Sequence, residues 1–574
     1  MVYKESSWDL FAIAPQNFNQ ALEEIERKTT QLEAKRSLLT ATIIPGQFLS
    51  LVKELEQLRI ITAKISGYVN LKFSEDSANQ VAVAQMSKVE NILTKIGNRL
   101  IFFGLWFKDL PEKKAQELIK ASGPYRYHFE QLRKTKPYTL KENEEKIINI
   151  KDLSGISALN TIYNILTSQF KYEWDGKEIT QEELLVLARD HSPQVREKAY
   201  RTLLTKYKEY HDVIGEIYKN LVNDWREENI DLRGYKNPIN VRNVVNDIPD
   251  KAIEALIHVC ERNQPLFHRF FEIKRKRLGL KKMRRFDLYA PVEEKSAKTS
   301  YDDGVKMVLQ TFGEFSEKFK EGALQIVEAQ QVHSKVQKNK QTGAFCYSIT
   351  AKMPPYILLN YTGTLRDVST IAHELGHGIH HQLAAGQTEF TNQSCLPLAE
   401  TASILSEMIL SDALQKKDPV RAKELLFFKL DDIYASIIRQ IGFVSFEQKA
   451  HEMMKEGKTL QEMGDVYLAD LRKQLGPMVE VDEIYAYEWS YIPHIFHTPF
   501  YCYAYAFGNL LTLALFEMYK EQGAKFVPKI IEMLAKGGSE SPIDITHAVG
   551  IDICSEEFWQ KGFDVIEKMI DEIE

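Results

Sequence analysis

Apolar residues recur three and four positions apart over most of the N-terminal half of this 574-residue chain, which is the period of an amphipathic helix. Residues 17–36, 50–72 and 78–105 each carry that pattern among charged residues and are expected to be helices. Pro137 and Tyr138 interrupt it, after which Thr139 with Glu142 has the form of a capping box that opens a new helix. Ser192 before Pro193 marks another start, a capping hydroxyl followed by a proline at the first helical position, with the helix running to about residue 227. Strand patterns are few. Residues 285–291 (RFDLYAP) alternate and end on a proline, while 343–350 (GAFCYSIT) and 355–360 (PYILLN) are short, β-rich and bounded by Gly or Pro. The pattern predicts a mainly α fold: an all-helical N-terminal region, then a mainly helical region with a small sheet. Punctuation alone puts the boundary near residues 185–198.

The length corresponds to roughly three to four domain-equivalents, and 44% hydrophobic residues suffice for a large core. A net charge of −6 gives no electrostatic reason to expect nucleic acid or an anionic membrane as partner. The basic runs Lys274–Arg277 and Lys281–Arg285 read as solvated helix ends or loops. Five scattered cysteines (Cys260, Cys346, Cys395, Cys502, Cys554) contain no CxxC pair, which argues against a disulfide framework and for a reducing compartment. The first residues hold no apolar run of signal-peptide length. The apolar stretch Phe507–Phe516 is about half of what a bilayer span needs. The expectation is a soluble, cytoplasmic protein.

Chemistry enters at residues 371–380, IAHELGHGIH, where His373-Glu374-Leu375-Gly376-His377 is an HExxH sequence. On a helix, residues four apart share a face, so the two imidazoles can grip one metal ion. Glu374 then stands beside the metal but off the ligand axis, which suits a base acting on water rather than a ligand. Thr362 or Thr364 can cap this helix, Asp367 suits its first turn and Gly386 its end. Gly376 inside it costs about 1 kcal/mol relative to alanine, so a packing partner or the metal site is expected to need the missing side chain.

Two histidines leave a zinc ion short of a third protein ligand. The pattern with glycine at 380 and histidine at 383 fails, since those positions are His380 and Leu383. A glutamate from a following helix is the remaining common solution. The segment LPLAETASILSEM (396–408) has Pro397 for its first turn, and Glu400 and Glu407 fall on one helical face. Both sit among apolar residues, where a glutamate is costly unless paired or metal-bound. One can be a ligand and the other a carboxylate that receives an imidazole N–H; a partly exposed edge position is the alternative for each. Further on, residues 492–508 concentrate His494, His497, Tyr501, Tyr503 and Tyr505. Their N–H and O–H groups can donate to the oxyanion of a tetrahedral intermediate, although such a cluster can equally be core.

The pair HELGHGIHHQL (373–383) and LAETAS (398–403) resembles the M3 family of zinc oligopeptidases, most closely its bacterial oligoendopeptidase F branch. The likeness runs from about residue 200 onward, through 357–377 and 492–508, with a weaker likeness over 110–185. It implies three regions: a helical 1–110, an oligoendopeptidase F-like helical 111–190, and a catalytic 191–574. It also implies a large two-lobed helical body with a small sheet beside the HExxH helix and a deep substrate channel. By resemblance Glu400 is the third zinc ligand, Glu374 the general base and Glu407 the carboxylate behind a ligand. His494 matches the family's histidine, with Tyr501 and Tyr505 as donors, Tyr503 as the alternative and His497 as a local residue.

The expected function is hydrolysis of internal bonds in short unfolded peptides, with one Zn²⁺ per chain held by His373, His377 and Glu400, in intracellular peptide turnover. Two β-like stretches, 343–346 and 356–360, can each be an ordinary small sheet or take an extended peptide as an added strand. Two other readings compete. A metallocarboxypeptidase would need a cation to hold the terminal carboxylate, and a helical peptide-binding scaffold would need no metal.

Overall fold

The computed structural model describes residues 2–292 and 298–574. The protein is mainly helical with three small sheets among the described residues. It divides into two compact units, each discontinuous in sequence: Met1–Lys146, Ser296–Lys416 and Met518–Asp552 form the first, and Ile147–Lys295, Lys417–Glu517 and Ile553–Glu574 the second. Among the described residues, no helix is long and apolar enough to cross a membrane.

In the first unit, the three predicted N-terminal helices are Phe18–Ala34, Pro45–Glu75 and Gln80–Asp109. Asn17 caps the first of them, accepting from the N–H groups of Asn19 and Gln20 at 3.0 and 3.1 Å. The three bury Ile25, Leu58, Val69 and Val89 between them. The capping box expected at Thr139–Glu142 does not form. Thr139 Oγ1 donates instead to Thr135 O at 2.8 Å, at the end of a 3-10 turn over Lys136–Tyr138. The helix begins at Glu142, and Glu145 and Glu144 take the orphan N–H groups of Leu140 and Lys141 at 2.8 and 2.9 Å. Acidic residues of the first turn thus do the capping.

The first unit also contains a three-stranded sheet in the order Val332–His333, Tyr356–Leu358, Phe345–Tyr347. The first pair is parallel; the second is antiparallel, with Phe345 opposite Leu358 and Tyr347 opposite Tyr356. The predicted strands at 343–350 and 355–360 are therefore real but three residues each, and Phe345–Tyr347 is an edge. One face of the sheet packs on Trp8, Leu10, Ile13 and Leu71. The helix Leu365–Leu383 packs against the sheet as well. Of the two candidate caps, Thr364 takes the Asp367 N–H at 3.1 Å, and Asp367 returns a carboxylate to the N–H groups of Thr364 and Thr362, both at 2.9 Å. The helix ends at Leu383, followed by one 3-10 turn, Ala384–Gly386.

In the second unit, the helix starting at Pro193 is capped by Ser192 as expected but breaks at Tyr210. It becomes Pro193–Glu209 and His211–Arg226, then a π-helical turn, Glu227–Leu232. The strand expected at 285–291 is corrected: Met283–Arg284 pairs with Val479–Glu480, and Arg285–Asp287 is a 3-10 turn. Arg285, Phe286, Asp287 and Leu288 are all buried, and four consecutive buried residues cannot belong to a strand with one wet face. Asp287 holds the turn by accepting from Arg196 at 2.7 Å and Arg284 at 2.8 Å.

The basic runs are exposed at Lys276, Arg277, Lys281 and Lys282 as expected, but one basic residue of each is buried. Lys274 is fully buried, its ammonium donating to Leu288 O at 2.6 Å and to Asp431 at 2.5 Å. Arg285 is buried against Glu488 at 2.6 Å, and Glu488 also accepts from Arg439 at 3.1 Å and Tyr467 at 3.0 Å. Removing the charge of a carboxylate that serves two guanidinium groups leaves buried cations uncompensated, at a cost of about 3–5 kcal/mol. Glu488→Gln is therefore expected to lower the urea unfolding midpoint of the chain by an amount corresponding to that loss. A shift worth less than ~1 kcal/mol would show that solvent relieves the two arginines.

Candidate metal centre

His373 and His377 stand one turn apart on the Leu365–Leu383 helix, their rings 4.9 Å apart and nearly perpendicular. Glu400 lies at the joint between a short helix, Leu396–Ala399, and the helix Thr401–Lys417. Its Oε2 is 3.5 Å from His373 Nε2 and 3.3 Å from His377 Nε2. The three donor atoms lie within 4.8 Å of one another. Ligands about 2.1 Å from a tetrahedral ion stand about 3.4 Å apart, which both Glu400–histidine separations match. Ser403 Oγ lies 2.9 Å from Glu400 Oε2. His373 Nδ1 is 2.5 Å from Glu407 Oε1, which directs its Nε2 lone pair toward the site.

The helices can meet this closely because of Gly376. A Cβ there would come within 2.7 Å of Ala402 O, Ser403 Cα and Ser406 Oγ, so the Thr401–Lys417 helix packs directly on the motif backbone. Beside the donors, Glu374 is 6% exposed and its Oε2 has no hydrogen-bond partner among the described residues. An open cleft of about 520 Å³ is lined by these groups and by Phe345 and Cys346 of the edge strand. The next two histidines have other work. His381 Nε2 lies 3.0 Å from both Thr350 O and Met353 O, tying the helix to that loop. Burial, helped by the charge of His377, pulls His380 down to about 4.

The second unit gathers His494, Tyr501 and Tyr505. Tyr505 Oη is 3.3 Å from His494 Nε2, and the tyrosine rings are 5.1 Å apart. Tyr503 stands apart from them, buried, its hydroxyl accepting from Asn246 at 2.7 Å. His497 is exposed and bonded to Asn164 at 2.9 Å.

Sequence comparison places residues 186–565 in peptidase family M3 and residues 106–172 in the oligopeptidase F group. The chain belongs to peptidase family M3. It is 26% identical to the oligoendopeptidase F homolog of Borreliella burgdorferi, over 100% of this chain and 98% of that protein. It is 25% identical to the oligopeptidase PepF of Bacillus subtilis (strain 168), over 88% and 78%. Its fold matches the crystal structure of oligoendopeptidase-F from Enterococcus faecium, with a TM-score of 0.74 at 20% identity over 97% and 99% of the two chains. It also matches PZ peptidase A, solved with an inhibitor, with a TM-score of 0.77 at 18% identity over 96% and 97%. The resemblance read from HELGHGIHHQL and LAETAS is borne out: the chain is a family M3 metallopeptidase of the oligopeptidase F branch.

The electrostatics of the M3 site suit a cation. Burial works against a charge on His373, but Glu407, then Glu374 and Glu400, outweigh it and hold the imidazole up at about 9. Burial also works against Glu400, yet His377, His373 and Ser403 hold its carboxyl down at about 2. Burial raises Glu374 above the usual carboxyl range, with the histidines opposing. A pocket that binds a proton this firmly at an imidazole is a pocket of negative potential.

Two supporting residues escaped the sequence reading. Ser403 was visible as a hydroxyl one helical turn after Glu400. Glu447 carries the signal used for Glu400, a glutamate among apolar neighbours (Val444, Phe446). It is 1% exposed, and its Oε1 accepts the Phe500 N–H at 2.8 Å. Phe500 has φ +56°, a strained conformation for an aromatic residue, and it directly precedes Tyr501. Arg242 Nε holds the neighbouring Pro499 O at 3.2 Å. Burial, opposed by that N–H and by Arg242, pushes Glu447 up to about 8.

Glu407→Ala should weaken zinc affinity about 10–100-fold, as loss of such a hydrogen-bond partner commonly does; chelator competition measures this, and unchanged affinity would make Glu407 irrelevant to the centre. Folded chains retain the Glu447 proton between the ordinary carboxyl value of 4.5 and about 8, while unfolded chains have lost it. Stability from this group is therefore full below 4.5 and is lost toward pH 8, at up to ~1.4 kcal/mol per pH unit. Glu447→Gln keeps the acceptor for Phe500 and cannot titrate, so the stability of wild type relative to the variant should fall with that slope between pH 4.5 and about 8; parallel curves would mean that Glu447 is ionised in the fold.

Proposed function

We propose that this M3 peptidase is a zinc endopeptidase acting on internal bonds of short unfolded peptides, in cytoplasmic peptide turnover. One observation carries the reading: two imidazoles and a carboxylate converge at zinc-like separations beside a buried carboxyl oxygen without a partner. His373, His377 and Glu400 would hold the ion, and a borderline-soft N₂O donor set of this kind suits zinc. Zinc bound there supplies Lewis acidity, lowering the pKa of water and polarising a carbonyl.

The chain's own residues do the rest. Glu407 fixes the His373 tautomer and Ser403 fixes the Glu400 carboxylate. Glu374 takes a proton from the attacking water at its free oxygen and delivers it to the leaving nitrogen; its raised pKa brings it nearer the range of an efficient acid–base group. The edge strand Phe345–Tyr347 offers backbone groups to an extended peptide, which can add as a strand along the cleft. In the same proposal, Tyr505 and Tyr501 with His494 donate hydrogen bonds to the oxyanion. Residues 1–110, 111–190 and 191–574 are proposed as a helical N-terminal region, an oligoendopeptidase F-like helical domain and the catalytic domain.

The test pairs wild type with Glu374→Gln, each assayed for bound zinc and for cleavage of an internally quenched peptide of about ten residues, a short extended chain of the kind the cleft can take. Both should carry one zinc per chain, and the variant should lose at least about 10²–10⁴-fold in kcat. A wild type that binds no metal and cleaves nothing with added zinc would leave a peptide-binding scaffold in place of a peptidase.

A further inference from the structure

We propose that Arg59 is a substrate-specificity residue: its guanidinium binds a carboxylate of the peptide in a subsite continuous with the metal cleft. The inference rests on the peptidase reading above.

A second cleft of about 180 Å³ in the first unit is lined by Arg59 and Glu389. It shares Ser348, His381, Asn392 and Gln393 with the cleft that holds the candidate metal residues, so the two adjoin. Its wall is also formed by residues 347–351, the chain that leaves the edge strand Phe345–Tyr347. An extended peptide advances ~3.4 Å per residue. One that pairs along this edge and continues is led from His373 and Glu400 toward Arg59.

Arg59 is exposed and forms no ion pair among the described residues. It is still not a loose surface cation, because its guanidinium lies over the Phe390 ring, 5.3 Å from the centroid. A cation–π contact of this kind holds the guanidinium beside the ring and leaves N–H donors open. The nearby acids also have other partners. Glu389 Oε1 accepts the Ala351 N–H at 2.9 Å, and burial pushes its carboxyl up, opposed by that N–H and by the charge of Arg59. Glu56 accepts the Glu389 N–H at 3.0 Å and the Tyr125 hydroxyl at 2.5 Å. A planar, oriented guanidinium with open donors matches a carboxylate, which it can bind through two parallel hydrogen bonds. A peptide offers that group in two forms, its C-terminus and an Asp or Glu side chain.

Three quenched peptides of one length separate the sources: a free C-terminus with no acidic side chain, the same peptide as its C-terminal amide, and the amide with a single Glu walked along the sequence. Wild type should prefer one carboxylate-bearing peptide over the plain amide by about tenfold in kcat/KM, mainly through KM. Arg59→Ala should bring that ratio close to one, and Arg59→Lys should restore part of it, with zinc content unchanged in both. Equal use of all three peptides by wild type, or a preference that survives Arg59→Ala, overturns the proposal. Binding of the same peptides to the Glu374→Gln chain, read by fluorescence anisotropy, reports the carboxylate contact without cleavage. If no peptide is cleaved yet the binding preference depends on Arg59, the peptidase reading fails and the subsite stands. Cleavage without an Arg59-dependent preference removes the subsite and leaves the peptidase reading intact.

Discussion

A helix can present two imidazoles to one ion, but a third ligand has to come from another stretch of chain brought against that helix at contact distance. Gly376 sets that distance. Any side chain there would press on the backbone of Ala402 and Ser403 and on the Ser406 hydroxyl, pushing away the segment that carries Glu400 and Glu407. The glycine costs about 1 kcal/mol of intrinsic helix stability, offset by the burial of the crossing and by the capping box at Thr364 and Asp367 that secures the helix start. Once the crossing is fixed, the rest of the centre follows from helical periodicity. Glu400 meets Nε2 of both histidines, and Glu407, two turns on, reaches the far nitrogen of His373.

The same crossing gathers Glu374, Glu400 and Glu407 around two imidazoles in a largely buried place, which in a chain without a cation is an excess of negative charge. His373 relieves it by holding a proton well beyond its ordinary range. A divalent cation relieves it better, and because the unfolded chain has no such cluster, the binding energy returns as folding energy. The site therefore resembles a charge imbalance built into the fold, tolerated because the ion it attracts is also the one the chemistry needs. Among the described residues, Glu374 is the one of the three with a fully buried carboxyl oxygen left without a partner, and this separates the proposed base from the proposed ligands without any difference in residue type.

What was legible in the sequence was whatever rests on short-range geometry. The HExxH spacing, the Thr364 cap, the two glutamates on one face and the long N-terminal helices all depend on residues within one or two turns of each other. What was not legible depended on partners far along the chain. Residues 285–291 alternate like a strand, yet Asp287 is claimed by Arg196 about ninety positions earlier and the segment folds as a turn. Lys274 and Arg285 look like solvated basic runs until Asp431 and Glu488 are brought to them. Thr139 failed as a cap because its hydroxyl is held elsewhere, donating to Thr135 O and accepting from the Lys108 ammonium, and acidic residues of the next turn took over.

The two halves of the proposed machinery are held in different ways, and the difference has a physical logic. The proposed metal residues sit on a helix capped by Thr364 and on the segment packed against its backbone at Gly376, where little can move without loss of the crossing. Tyr501 follows Phe500, whose left-handed backbone is a strain of order 1–3 kcal/mol, so its position has to be imposed from outside. Arg242 grips the carbonyl before the strained residue, Glu447 its own N–H, and Asn246 the buried Tyr503 hydroxyl after it. A permanently charged carboxylate would be a poor choice at so buried a position, since its second oxygen has no partner among the described residues. A carboxyl kept neutral by burial supplies the acceptor for Phe500 without burying a full charge. The donors proposed for the oxyanion are therefore placed by a buried clamp on a strained turn, and the proposed ligands by close packing at a glycine.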